Sequence, residues 1–140
     1  ERPDGTGYPH GKKKNEIHLF ARLINVADTY GALVSPRAHR LPLLPHAAMC
    51  VVMENGGKGV LDWDIVQVFV KAMSMYPIGS YVQLAGGEVA RVVRAQPEFP
   101  ERPVIAVIAD AQRNVLAAPV ELDLAAMEPS PKLEPIPSPF

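Results

Sequence analysis

Cysteine is almost absent from this sequence, and it has no long apolar run. The single cysteine, Cys50, excludes an intrachain disulfide and a zinc site built from cysteines. Cys50 stands among alanine, methionine and valine residues, so we predict a small core residue rather than a nucleophile. No apolar run approaches the ~20 residues that cross a bilayer. The sequence therefore predicts a cytoplasmic protein with no membrane segment in this chain.

The chain also has little excess charge of either sign. It contains 14 basic and 15 acidic residues, for a formal net charge of −1, so no overall field attracts nucleic acid or an anionic membrane. The lysines at 12–14 lack the arginines and aromatic neighbours that suit base contacts, so we expect a solvated loop face rather than a nucleic-acid patch. The positive potential of these lysines is still able to attract a phosphate. We expect no nucleic-acid polymer as a partner.

A glycine-rich loop stands at the start of the sequence, directly before a predicted helix. Glycines at this density serve backbone positions with positive φ or close approach, and the Tyr-Pro pair indicates a rigid loop rather than a linker. Apolar residues at spacings of three and four then predict a helix from about residue 15 or 16 to about Leu33. The stripe consists of Ile17, Phe20, Ala21, Ile24 and Ala27, and it also includes Asp28.

Asp28 is the first residue of that stripe that needs an explanation. A carboxylate on a buried face is costly unless a cation, a metal or several hydrogen-bond donors meet it. The residues alone leave two alternatives open. A structural acid is somewhat favoured by the pattern, and the other alternative is a metal ligand.

The middle of the chain predicts two further helices. Pro45 is well placed as the first residue of a helix through about Glu54, which Gly56 and Gly57 end. Asp62 is typical of an N-cap for a third helix, from Trp63 to about Met75. Four methionines at helical spacing are expected to fill the core: Met49, Met53, Met73 and Met75.

Beyond Ile78 the apolar period changes from 3.6 to 2, which predicts strands. A hairpin turns at Gly86-Gly87, and a third, almost wholly apolar strand is expected over Val104 to Ala109. Residues 115–124 are expected to add one or two short strands. The tail at 128–140 has five prolines and is expected to be extended or flexible.

The loop and the first helix carry a resemblance to a known family. ERPDGTGYP at residues 1–9, ARLINVADTYGAL at 21–33 and SPRAHR at 35–40 are similar to the second half of an HD-GYP domain of the HD superfamily. The resemblance covers about residues 1–124. It implies a mainly α fold with a small appended antiparallel sheet. It also implies that this chain is a piece of a longer polypeptide. The expected parts are the C-terminal helical half of the domain at 1–76, a β-rich appendage at 77–127 and the flexible tail.

The resemblance also implies an activity and a site. HD-GYP proteins are phosphodiesterases that hydrolyse cyclic di-GMP with a cluster of two or three metal ions, commonly iron or manganese. The metal ions of such a cluster neutralise charge on the phosphoryl oxygens and activate a water molecule. It implies that Asp28 is a metal ligand and that Tyr8, Arg37 and Arg40 bind substrate, the arginines through phosphate or guanine. The motif loop comprises Glu1, Asp4, Gly5, Gly7, Tyr8 and Pro9.

The sequence departs from the family pattern in ways that suggest an alternative. The family's paired histidines and its His-Asp dyad would precede Glu1, and His10, His18, His39 and His46 do not match them. Gly31 stands where the family usually has a second aspartate, and Ala38-His39 replace the usual Pro-Tyr. We therefore expect this chain alone to bind no metal cluster. The alternative is a non-catalytic module that senses the nucleotide or docks a GGDEF-type protein. An exposed face of the first helix, around Ile17, Phe20 and Ile24, also predicts a homodimer.

Overall fold

The computed structural model describes every residue from 1 to 140 and divides the chain into two compact units. The first, called here the helical unit, consists of Glu1–Leu43 and Ala47–Val70. The second, the sheet unit, consists of Leu44–His46 and Lys71–Phe140. No helix is both long and apolar enough to cross a bilayer.

Three α-helices account for most of the helical unit. Helix α1 spans Leu19–Val34, α2 spans Pro45–Gly57 and α3 spans Trp63–Met73, the last three residues of which belong to the sheet unit. Pro45 begins α2 as expected, because a proline at the first helical position sacrifices no hydrogen bond. Asp62 caps α3 by accepting a hydrogen bond from the Asp64 N–H at 3.1 Å, which confirms the predicted N-cap.

Helix α1 begins later than the apolar pattern predicts. Lys14–Glu16 form a single 3₁₀ turn, and Ile17 is extended, with φ −97° and ψ 126°. The helix then starts after His18, whose Nδ1 accepts a hydrogen bond from the Phe20 N–H at 3.2 Å. Ile17 therefore packs as a loop residue, with its side chain buried, and does not belong to the helical stripe.

The apolar stripe of α1 faces solvent within this chain, which confirms the expected exposure of Phe20 and Ile24, and Asp28 lies on this uncovered face rather than on a buried one. Val26 is the only buried residue of the helix, and Asp28 is exposed. The large side chains at the start of the helix are also exposed: Leu19, Phe20, Leu23 and Ile24. A periodic pattern identifies an apolar face without identifying what covers it, and no other part of this chain covers this one.

Buried aliphatic residues from all three helices and from the segments before α1 and α3 form the interior of the helical unit. Met49 is fully buried, whereas Met53 is half-buried. Cys50, the residue after Met49 on α2, is exposed, so its predicted core position is wrong. The buried set is Ile17, Val26, Ala48, Met49, Val52, Leu61, Val66 and Val70.

The sheet unit is built on five antiparallel strands in the order β4-β3-β2-β1-β5. The strands are β1 Tyr81–Leu84, β2 Val89–Arg94, β3 Val104–Ala109, β4 Val115–Asp123 and β5 Leu133–Ile136. The β1–β2 hairpin turns at Gly86-Gly87 as predicted, and Gly87 has a φ of +95° that favours glycine. β3 lies between β4 and β2 and is almost wholly buried, which matches its unbroken apolar sequence.

Strand β5 lies inside the segment that we expected to be a flexible tail. Leu133 pairs with Leu84 and Ile136 with Tyr81 along the free edge of β1. Proline is compatible with an edge strand because one side of that strand makes no ladder hydrogen bonds, and Pro135 lies here. With five strands beside three helices, the fold is an α-and-β combination, and the predicted "mainly α" class overstates its helical share.

Candidate functional site

The glycine-rich loop is closed by hydrogen bonds to its own first residue. The Glu1 carboxylate accepts from the N–H of His10 at 2.8 Å and from the N–H of Lys12 at 3.1 Å. Within the loop, Asp4 accepts from the Thr6 N–H at 2.9 Å. A Cβ on Gly7 would lie 2.5 Å from the Glu1 Cα, so only glycine fits there. Glu1, Asp4 and Gly7 therefore account for the closure of the loop, and its rigidity stays a prediction.

Tyr8 stands at the tip of this loop. Its side chain is 89% exposed, so it does not anchor the packing of the loop in this chain. An exposed aromatic ring on a closed loop is available to stack on a planar ligand or to contact another protein. The structure therefore leaves Tyr8 able to take the substrate-binding role that the resemblance implies.

Asp28 and Arg37 line one open cleft of about 400 Å³ beside the second half of α1. Gly31 lies one helical turn beyond Asp28, and a Cβ added to it would meet no atom within 4 Å. The lining of the cleft therefore combines small side chains with one carboxylate and one guanidinium. The remaining lining residues are Ala27, Ala32 and Ser35.

Arg37 and Arg40, which the sequence grouped together, have different environments. Their backbones exchange two hydrogen bonds, of 3.2 and 3.3 Å, that fold the loop between them into a tight turn. The Arg40 guanidinium donates to the Ala32 carbonyl near the end of α1 at 2.6 Å. A cation is favourable at that helix end because the carbonyls there carry partial negative charge. Arg37 lines the cleft, whereas Arg40 does not.

The residues of this chain do not fit a metal cluster by themselves. A cluster of two or three ions needs several histidine or carboxylate ligands held together. No group of three His, Cys, Asp or Glu residues comes together anywhere in residues 1–140. Asp28 is a single exposed carboxylate, so the chain offers one candidate ligand and no assembled centre.

Asp62 is the centre of a charged cluster that sequence patterns did not reveal. Its side chain is fully buried, and it pairs with the Arg22 guanidinium of α1 and, at 3.3 Å, with the Lys14 ammonium. Burial acts to raise the pKa of the Asp62 carboxyl, but hydrogen bonds from Arg22 and Lys14 outweigh burial and hold that pKa below its usual value. The partners lie 40 and 48 residues away in sequence, so no local spacing could identify them.

Comparison with known proteins gives two family matches along the chain. The HD domain model matches residues 1–65, and a KOW domain associated with HD domains matches residues 81–128. These matches define the class as an HD domain segment followed by a KOW-type β domain. With the curated relatives below, they show that the chain belongs to the HD-GYP family of the HD superfamily.

Several curated relatives are named as cyclic dinucleotide phosphodiesterases. A cyclic di-GMP phosphodiesterase of Pseudomonas aeruginosa is 33% identical over 82% of this chain and 27% of its own length. The cyclic di-GMP phosphodiesterase PdeB of Borreliella burgdorferi is 26% identical over 75% of this chain and 27% of its own length. A 3'3'-cGAMP-specific phosphodiesterase of Vibrio cholerae is 34% identical over 60% of this chain and 18% of its own length.

The chain spans about a quarter of the length of the first two of these relatives. No solved structure gives a significant match.

Proposed function

We propose that this chain is the loop-and-cleft segment of a metal-dependent phosphodiesterase that hydrolyses cyclic di-GMP. The observation that supports this most is the shared cleft of Asp28 and Arg37. A guanidinium binds a phosphate through charge-assisted, often bidentate hydrogen bonds, and a carboxylate is a suitable ligand for iron or manganese. The names of the curated relatives support the same substrate class.

Each candidate residue takes a binding role in this proposal. Arg37 contacts a phosphate of the cyclic dinucleotide, and Tyr8 contacts one of its bases from the loop. Arg40 supports Arg37, because its bond to the Ala32 carbonyl fixes the turn that carries both arginines. Asp28 contributes one metal ligand, and the remaining ligands of an iron or manganese cluster would come from outside these 140 residues. No catalytic step is assigned to this chain alone. The cytoplasmic location of the protein stays a prediction.

The test is hydrolysis of cyclic di-GMP by the full-length protein that carries this segment, loaded with manganese or iron. We expect Arg37→Ala to raise KM for cyclic di-GMP by about tenfold or more, since a charge-assisted hydrogen bond contributes roughly 1.5–3 kcal/mol. Arg94→Ala is the matched control, because Arg94 is an exposed arginine on β2 in the other unit. Equal KM values for the two variants would contradict the role of Arg37, and an inactive wild type would contradict hydrolysis.

The second candidate is a non-catalytic module that senses a cyclic dinucleotide or docks a GGDEF-type partner through the Tyr8 loop. It is favoured by Gly31, which stands where the family usually has a second aspartate and offers no side chain to the cleft. Calorimetric titration with cyclic di-GMP and with 3'3'-cGAMP, run beside the turnover assay, distinguishes the two candidates. Binding without turnover in the metal-loaded protein favours the sensor, whereas turnover excludes it.

A further inference from the structure

We propose that Asp62, acting through Lys14 and Arg22, is a positioning residue that fixes the glycine-rich loop relative to helix α1. The inference rests on the proposed function, because the loop carries Tyr8 and the helix carries Asp28. Asp62 lies in neither element. It directly precedes α3, and its carboxylate pairs with Lys14 at the end of the loop and with Arg22 on α1.

Lys14 is the cation that connects the loop to Asp62. It follows the loop directly, and its N–H donates to the Pro3 carbonyl at 3.2 Å, which brings the two ends of the loop together. Its ammonium lies 3.3 Å from Asp62 Oδ1 and 2.7 Å from Asp64 Oδ2. The end of the loop is therefore held at the start of α3 by two carboxylates.

Arg22 connects the same carboxylate to α1. Its Nη1 pairs with Asp62 Oδ2. Arg22 lies six residues before Asp28 on the same helix. A second connection lies nearby, because the Asn25 amide donates to the Glu1 carbonyl at 3.3 Å. Glu1, the first residue of the loop, is thus hydrogen-bonded directly to α1. Lys14, at the end of the loop, is connected to α1 through Asp62. Tyr8 lies between these two attachments.

The energetics of this cluster favour a positioning role over a stabilising one. A buried ion pair contributes little net stability, because desolvation offsets most of the attraction between the charges. Arg22 also leaves its Nε buried without a hydrogen-bond partner, which adds a cost. What the cluster does supply is a fixed geometry, since a buried carboxylate with two cationic partners accepts few other arrangements.

Lys14→Ala tests the inference, with Lys12→Ala as the matched control from the same lysine run. Lys12 has an exposed side chain without an ion pair, and its N–H bond to Glu1 survives the substitution. We expect the amides of Gly5, His10 and Gly11, which are hydrogen-bonded within the loop, to exchange at least tenfold faster in Lys14→Ala than in Lys12→Ala. Lys14→Arg retains the cation and should restore slow exchange.

Kinetics distinguish positioning from general destabilisation. A loop that contacts substrate equally in the ground and transition states affects KM, so Lys14→Ala should raise KM about fivefold and leave kcat within about twofold. Loss of folded protein would instead lower the apparent kcat at unchanged KM. Equal loop exchange in Lys14→Ala and Lys12→Ala, or a fall in kcat without a rise in KM, would overturn the inference.

The exchange measurement also distinguishes this inference from the proposed function. If the wild type hydrolyses no cyclic dinucleotide but Lys14→Ala still loosens the loop, the proposed function fails and the positioning role stands. If the wild type is active and neither loop exchange nor KM responds to Lys14→Ala, the positioning role fails and the function stands.

Discussion

The two units of this chain differ in how completely they enclose their apolar side chains. In the sheet unit, residues from strands β1, β2, β3 and β5 and from the turn after β4 form one buried cluster. In the helical unit, α1 buries only Val26 and exposes a row of large apolar side chains. The sheet cluster consists of Val82, Ala90, Val92, Ile105, Val107, Leu124 and Leu133.

This difference separates the enclosed core of the chain from its candidate site. A closed apolar core stabilises a fold but leaves no group available for chemistry. The candidate residues Tyr8, Asp28 and Arg37 all belong to the helical unit, and all are exposed. The unit that carries the candidate site is therefore the one whose apolar surface is least enclosed by this chain.

The largest effect that we expect comes from the core of the sheet unit. Ile105 on β3 is fully buried within the cluster, so Ile105→Ala removes apolar contacts and leaves a cavity. We expect it to lower the free energy of unfolding by about 3 kcal/mol. Denaturant unfolding followed by circular dichroism, with amide exchange of β3, measures this loss.

Val115→Ala is the control for that experiment. Val115 lies on β4 in the same sheet, but its side chain is 66% exposed. Exposed substitutions usually change stability by no more than about 0.5 kcal/mol. If Ile105→Ala costs no more than Val115→Ala, the sheet unit does not have the closed core that the comparison assigns to it.

The second effect concerns the apolar row of α1. An exposed stripe of large apolar side chains favours association with a second copy of this chain, so we expect the 140-residue chain to dimerise. Phe20→Ser with Ile24→Ser should weaken that dimer about tenfold or more, equivalent to about 1.4 kcal/mol. Sedimentation or light scattering over a range of concentrations measures the change.

The matched substitution for this test lies in the sheet unit. Phe20 and Val115 have the same exposed fraction, 66%, but Val115 is not part of an apolar helix face. Val115→Ser should leave the association unchanged. A wild-type chain that stays monomeric at all concentrations, or a dimer equally weakened by Val115→Ser, would contradict a dimer interface on α1.

Local patterns predicted the elements of the fold better than the environment of its residues. The change of apolar period near Ile78 separated helices from strands, and Pro45 and Asp62 marked true helix starts, because these signals act over a few residues. Strand β5 was missed because its prolines indicate a tail, and its pairing with β1 depends on residues about 50 positions away. Asp28 was placed on a buried face because periodicity cannot tell a covered face from an uncovered one. Cys50 was assigned to the core from its apolar neighbours in sequence, which do not determine its direction on α2.

The candidate site was predicted from resemblance more than from physical pattern. The glycine density correctly indicated backbone positions with positive φ or close approach, since local steric demands such as that of Gly7 are visible in sequence. The cluster around Asp62 was missed, although Asp62 had been identified as an N-cap. Arg22 within an otherwise apolar helix start is the signal that could have found it, because a cation there needs a buried or nearby acid.

The smallest effect that we expect is a pair of glycine substitutions with opposite signs in the two units. Gly31 lies in α1, and a Cβ at this position would have no atom within 4 Å, so alanine fits there and has the higher helix propensity. Gly87 has a φ of +95°, and its Cβ would lie 3.1 Å from the Ala111 Cβ. Gly31→Ala should raise the free energy of unfolding by about 0.5–1 kcal/mol, and Gly87→Ala should lower it by about 1 kcal/mol or more.

Thermal unfolding of the two variants measures both changes in the free energy of unfolding. Titration of Gly31→Ala with cyclic di-GMP then tests whether position 31 contacts the ligand. Gly31 has no steric need within this chain, so the binding measurement asks whether a ligand in the cleft of Asp28 and Arg37 contacts this position. If so, Gly31→Ala should stabilise the chain while weakening its binding of cyclic di-GMP. If Gly31→Ala stabilises the chain but leaves binding unchanged, the open space at Gly31 lies outside the ligand contact. If Gly31→Ala destabilises the chain, α1 does not have the uncovered face that distinguishes the helical unit from the sheet unit.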